Sequence, residues 1–106
     1  MEIPMLELRP NCEYCDCDLP PDAAKARICS YECTFCASCV DGVLHNVCPN
    51  CGGGFVPRPI RPRTARRKGT SLSDQPASTQ RRQLKHSKDD IAALVASTKD
   101  TPPEQR

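Results

Sequence analysis

Nine cysteines between Cys12 and Cys51 are the residues of this chain whose type and spacing could do chemistry. In order they run Cys12-x2-Cys15, Cys17, then Cys29-x3-Cys33-x2-Cys36-x2-Cys39, and finally Cys48-x2-Cys51. Two or three residues between cysteines let the backbone turn and aim both sulfurs at one ion, about 2.3 Å away for zinc. Four such pairs make two closed sites, so the expected metal ligands are Cys12, Cys15, Cys29, Cys33, Cys36, Cys39, Cys48 and Cys51. Two structural Zn2+ ions per chain follow from that set, and their binding free energy becomes folding free energy. Cys17 lies only two positions after Cys15, too tight for a second knuckle, and is expected to be a spare thiol. Its flanking Asp16 and Asp18 would raise its pKa and lower its reactivity, leaving ligand exchange or redox use as the less common alternative. His45, inside the loop from Cys39 to Cys48, is expected to be an exposed loop residue.

Other chemistries compete for the same cysteines. Cys29-x3-Cys33-x2-Cys36 has the spacing of the cluster-binding triplet of radical S-adenosylmethionine enzymes, but those need a full or partial barrel, and a complete one takes on the order of 200 residues. A ferredoxin run would place the x3 gap last and a proline after it, whereas here the x3 gap comes first and Val40 follows Cys39. Sites closed by four thiolates leave no open position for a catalytic water. The chain has no Ser/His/Asp set, and Gly52 to Gly54 lack the lysine and flanking elements of a phosphate loop. We therefore expect no enzyme and no small-molecule substrate.

The elements that must position the cysteines are few. At 106 residues, with two Phe, two Tyr and no Trp, the chain can fill only a thin apolar core. The expected fold class is a small metal-stabilised two-zinc domain with little regular secondary structure, spanning residues 5–56. The N-terminus, MEIPMLELRPNC, has neither a positive n-region nor an apolar h-region, and no stretch approaches the roughly 18 apolar residues of a membrane span. A cytoplasmic, reducing location is the expectation, where metal binding is favoured over disulfides.

Charge divides the chain in two. Residues 1–56 carry three basic against eight acidic side chains, a balance of −5, and residues 57–106 carry twelve against five, a balance of +7. Eight thiolates holding two zinc ions would take the first half to about −9, a surface that repels phosphate. Residues 57–106 are rich in Pro, Ser and Thr and poor in large apolar residues, so they read as a basic disordered tail. One exception is a short helix over residues 88–98, with Ser87 as N-cap, Asp89 and Asp90 in the first turn, and Ile91, Leu94 and Val95 as an apolar stripe. Alone it is marginal; a docking helix is the sharper reading. Six positive charges from Arg58 to Lys68 could contact nucleic acid or an anionic surface, but no aromatic is interleaved for base stacking, so a solubilising linker is the expected outcome.

The cysteine order resembles the RING finger, whose eight ligands alternate between two zinc ions in a cross-brace. Phe35 before Cys36 looks like the aromatic of the RING segment, Cys48-Pro49-Asn50-Cys51 looks like its closing pair, and Cys33 stands where histidine is usual. The resemblance implies that Cys12, Cys15, Cys36 and Cys39 bind one ion and that Cys29, Cys33, Cys48 and Cys51 bind the other. It also implies a short helix over 40–46, with Val43 or Leu44 in the core, and a partner face at Tyr14, Leu44 and Pro49. Gly52 stands where active ligases present a cationic donor. Ile28-Cys29-Ser30-x-x-Cys33 also resembles a treble-clef knuckle, which would pair Cys12 and Cys15 with Cys29 and Cys33. Finally, residues 5–59, MLELRPNCEYCDCDLPPDAAKARICSYECTFCASCVDGVLHNVCPNCGGGFVPRP, resemble the whole of a small bacterial cysteine-rich family, domain of unknown function 1272.

Binding, most often to another protein, is the expected role: a protein-interaction adaptor or regulatory module. The alternatives are a nucleic-acid accessory protein acting through the tail, a zinc-thiolate redox sensor and, more weakly, a RING-type ubiquitin ligase.

Overall fold

The computed structural model describes residues 5–106. Its centre is a three-stranded antiparallel sheet in which β1 (Ala26–Ile28) lies between β2 (Thr34–Cys36) and β3 (Val56–Pro57). Ala26 stands opposite Cys36 and Ile28 opposite both Thr34 and Val56. The turn joining β1 to β2 is the Cys29–Cys33 knuckle itself: Glu32 takes a left-handed φ of 65° and donates its N–H to Cys29 O at 3.0 Å, while Cys29 N–H donates to Cys33 O. Strand pairing thereby fixes the separation of two cysteines.

After β2 the chain turns into helix α1 (Ala37–Cys39), which widens into a π turn over Val40–Leu44. His45 and Asn46, with φ of 46° and 62°, end it, and Asn46 Oδ1 accepts the Phe55 N–H at 2.8 Å. Leu44 is fully buried while Val43 is exposed, so Leu44 is the core residue of this turn. It joins Phe35, Leu19 and Val47, all at most 1% exposed, with Phe55 packed edge-on to Phe35 at 5.4 Å between ring centroids. Six of the nine cysteines are buried beside these residues, so sulfur supplies much of the core's volume.

The composition of residues 57–106 reads as disordered, but the structure lays this segment across the cysteine domain. Arg58, 4% exposed, donates to the carbonyls of Arg9 (2.8 Å), Leu19 (3.2 Å) and Pro20 (2.8 Å). Farther on, Asn11 and Arg82 exchange hydrogen bonds, Asn11 Nδ2 to Arg82 O at 2.8 Å and Arg82 N–H to Asn11 Oδ1 at 3.0 Å. Helix α2 (Lys88–Thr98) is capped by Ser87, whose Oγ accepts the Asp90 N–H at 3.1 Å, and it buries Ile91 and Val95 in the same core as Leu44. Arg106 reaches the carbonyl of Asn46 at 2.7 Å. The physical reason lies in the opposite charge of the halves: a segment too polar to build a core of its own gains enough from an acidic neighbour and two buried side chains.

Candidate metal centre

The first cysteine group is built by a hairpin. Cys12 N–H donates to Cys17 O and Asp16 N–H to Cys12 O, both at 2.9 Å, while Asp16 takes a left-handed φ of 64° and Asn11 bridges to Asp18. This reversal brings Cys17 back beside Cys12 and Cys15, and β2 adds Cys36. The sulfurs of Cys12, Cys15, Cys17 and Cys36 lie within 4.8 Å of one another. Cys15 Sγ and Cys36 Sγ are 3.7 Å apart, close to the roughly 3.8 Å edge of a tetrahedron with 2.3 Å metal–sulfur bonds. Cys39, at the end of α1, is buried in the same cluster as Cys12 and Cys36 but stands outside this group of four.

The second group brings Cys29, Cys33 and Cys48, all buried, within 4.8 Å of one another. Cys51 lines the same small cavity as Cys33, together with Arg9, Tyr31, Asn50 and Lys85, and is exposed at its mouth. Backbone N–H groups point at sulfur, Tyr31 to Cys29 at 3.3 Å and Gly53 to Cys51 at 3.4 Å, as a thiolate acceptor requires. Of the eight residues expected as ligands, the structure thus gathers six into two groups and places Cys39 and Cys51 at their margins. The ninth, Cys17, expected to be spare, stands inside the first group. His45 is exposed.

Electrostatics in these groups call for a cation. Burial pushes the Cys17 thiol up to about 12, helped by hydrogen bonding to Cys15 and the charge of Cys36, so neighbouring sulfurs and not the flanking aspartates dominate. Burial works to raise Cys15 as well, but hydrogen bonds from the Cys17 backbone and the thiols of Cys17, Cys12 and Cys36 outweigh it and lower the group to about 7. Cys33, stabilised first by the Cys48 thiol and then by Asn50, Cys29 and Arg9 against the opposing effect of burial, falls to about 4, while burial lifts Cys29 to about 11. Each group therefore sets one lowered thiol, Cys15 or Cys33, beside raised ones, Cys12 and Cys17 in the first and Cys29 and Cys48 in the second. A divalent ion would let the remaining sulfurs ionise. Two cysteine groups lie near each other, each able to hold a metal ion, and a soft all-sulfur donor set is compatible with zinc.

The comparisons with known proteins agree with this cysteine-rich arrangement. Residues 5–61 match the model of the family described as "Protein of unknown function (DUF1272)". The chain belongs to this family. A family relative, "Uncharacterized protein R02474" of Rhizobium meliloti (strain 1021), is 56% identical over 77 residues, 73% of this chain and 84% of that protein. The family match ends at residue 61, so at least 16 of those 77 aligned residues lie beyond it, in the tail. No solved structure matches the chain significantly. Among the described residues, no helix is long and apolar enough to cross a membrane.

The basic run, expected to be a solubilising linker with nucleic-acid contact as the alternative, is partly committed within the fold. Arg58 is buried, and Arg61 donates to Leu6 O and Gln75 O at 2.7 and 2.6 Å, whereas Arg63, Arg66, Arg67 and Lys68 are exposed. Sequence reasoning missed Arg81 altogether. It donates to Asp16 Oδ1 and O and to Asp18 Oδ1, at 2.9, 2.6 and 2.7 Å, gripping the hairpin tip that carries Cys17. The opposite charges of the two halves were the available signal.

Proposed function

We propose that this member of the DUF1272 family is a protein-interaction module held by two structural zinc ions in a RING-like cross-brace, and that its docking face receives a short amphipathic helix. The metal part of the reading is supported by the alternation of the groups along the chain: Cys12 and Cys15 join Cys36, while Cys29 and Cys33 join Cys48. A treble-clef pairing of Cys12 and Cys15 with Cys29 and Cys33 is disfavoured by the same grouping. Cys39 and Cys51 complete the two sets of four. Closed thiolate sites have structural and not catalytic character, so the protein is not an enzyme.

The observation that carries the docking reading is the seat of α2 on the Val40–Leu44 turn. Ile91 and Val95, one helical turn apart, share a buried cluster with Leu44 and Phe35, and the Lys88 ammonium lies 5.3 Å from the centroid of the Tyr14 ring. Tyr14 and Leu44 are the apolar positions through which a RING-like module would meet its partner. Here the chain's own helix covers them, and Pro49 is buried. The face is thus shaped for a helix with apolar residues at i and i+4 and a cation at its start that can lie over the Tyr14 ring, and a protein partner bearing such a helix would displace α2.

The test uses the full chain carrying Ile91→Asp and Val95→Asp, which releases α2, and a fluorescent peptide of residues 84–99. Fluorescence anisotropy should report binding to the released variant and at least tenfold weaker binding to the wild-type chain. A zinc-loaded variant that does not bind the peptide would refute the docking reading.

A further inference from the structure

We infer that the first metal site is a five-thiol site whose fourth ligand position is shared by Cys17 and Cys39. This deepens the two-zinc reading and rests on it. A tetrahedral ion takes four sulfurs, yet five are on hand here: Cys12, Cys15, Cys17 and Cys36 within 4.8 Å of one another, and Cys39, three positions after Cys36 and buried in the same cluster as Cys12 and Cys36. Three of the five, Cys12, Cys15 and Cys36, are common to both ways of completing the set.

Two elements of different character supply the competing sulfurs. Cys39 is buried, 7% exposed, at the end of α1, where the helix and the Val40–Leu44 turn fix it. Cys17 is half-buried on the hairpin, and the tip of that hairpin is held by Arg81 from the tail through Asp16 and Asp18. The left-handed Asp16 and the Cys12 N–H to Cys17 O bond turn the Cys17 residue back towards the site. A Cys15-x-Cys17 spacing that is too short for a knuckle is thereby made competent by a reversal of the backbone. Cys17 replaces Cys39 when the helix end moves away, and Cys39 replaces Cys17 when the hairpin opens.

Native mass spectrometry of the full chain tests the assignment through the number of zinc ions retained. The wild type, Cys17→Ser and Cys39→Ser should each hold two ions, and Cys17→Ser/Cys39→Ser should hold one; Cys12→Ser, which removes a shared ligand, should also hold one. If Cys39→Ser alone drops to one ion, Cys17 cannot take its place and the proposal fails. It fails equally if Cys17→Ser alone drops to one, or if the double variant keeps two. Should any variant aggregate, zinc transfer to a chromophoric chelator from the soluble Cys17→Ser chain decides: loss of the alternative ligand should change the transfer rate severalfold, and an unchanged rate overturns the proposal. A wild-type chain with no zinc would instead refute the zinc reading itself.

Discussion

Asn50 Nδ2 donates to Glu13 Oε1 at 3.1 Å, joining the loop between Cys48 and Cys51 to the loop between Cys12 and Cys15. The two loops belong to different cysteine groups, so one side-chain hydrogen bond ties the groups together. Glu13 is 2% exposed, its N–H donates to Thr34 O at 3.1 Å, and its Oε2 has only Arg9 Nη1 nearby, at 3.6 Å. That oxygen makes no hydrogen bond, so Glu13 has little redundancy.

Replacing Asn50 with Ala should therefore leave a buried carboxylate short of its donor. The expected cost is about 1–3 kcal/mol. Denaturant unfolding of the metal-loaded variant should show a lower midpoint with an unchanged slope, and an unchanged midpoint would refute this role.

Removing the metal should remove the fold. Structural zinc contributes an apparent ~10–16 kcal/mol in zinc-finger peptides, comparable to or larger than the roughly 5–15 kcal/mol of net stability of a whole domain. A strong chelator should abolish the dispersed amide spectrum and expose all nine thiols to alkylation, whereas an apo chain retaining the three-stranded sheet would contradict the expectation.

Arg58 replaces a longer core with a stitch. Its guanidinium is buried without a carboxylate partner, burial lowers its pKa, and its donors reach the carbonyls of Arg9, Leu19 and Pro20. Substituting Ala should cost about 2–3 kcal/mol, and Lys should recover only part of this because one ammonium cannot reproduce the planar fork. Equal thermal stability of the three proteins would rule this out.

Docking of the tail should weaken in acid. Partial burial works to raise the Glu7 pKa, but hydrogen bonds and charge from Arg9 and Arg82 outweigh it and hold the group below its ordinary value of 4.5. A folded-state pKa below the unfolded one stabilises fully above the unfolded value and is lost as pH falls through the folded value. Hydrogen exchange in the tail around Arg82 should therefore be slower in the wild type than in Glu7→Gln above pH 4.5, and the difference should shrink as the pH falls below that value. The comparison is read only at pH values where both proteins still hold their metal, since acid also releases thiolate-bound zinc. A pH-independent difference would contradict the assignment to Glu7 ionisation.

The cysteine spacing made the existence of two metal-binding groups legible, because a knuckle is a local device in which a few residues decide where two sulfurs point. Leu44 was legible as one of two core candidates, with Val43, through the resemblance to RING fingers. Membership of the family also followed from the run of residues from Met5 onward. Cys17 was not legible: its approach depends on the left-handed Asp16 and on the Asn11–Asp18 bridge, neither of which a count of intervening residues reveals. The fate of the tail was hidden more deeply. Read alone, residues 57–106 cannot offset their own ordering entropy, and the compensation comes from groups far away in sequence, such as Asp16 for Arg81, Glu7 for Arg82 and Leu44 for Ile91 and Val95.

The sequence by itself determined the donor chemistry, the short-range turns that present it and the opposite charge of the two halves, since each depends on neighbours within a few residues. Only the tertiary structure decided which cysteines gather in each group, Cys17 among them, and that the tail lies on the domain. Those outcomes depend on long-range pairing, in which strand register, a buried arginine and two helix side chains act together across more than forty residues of chain.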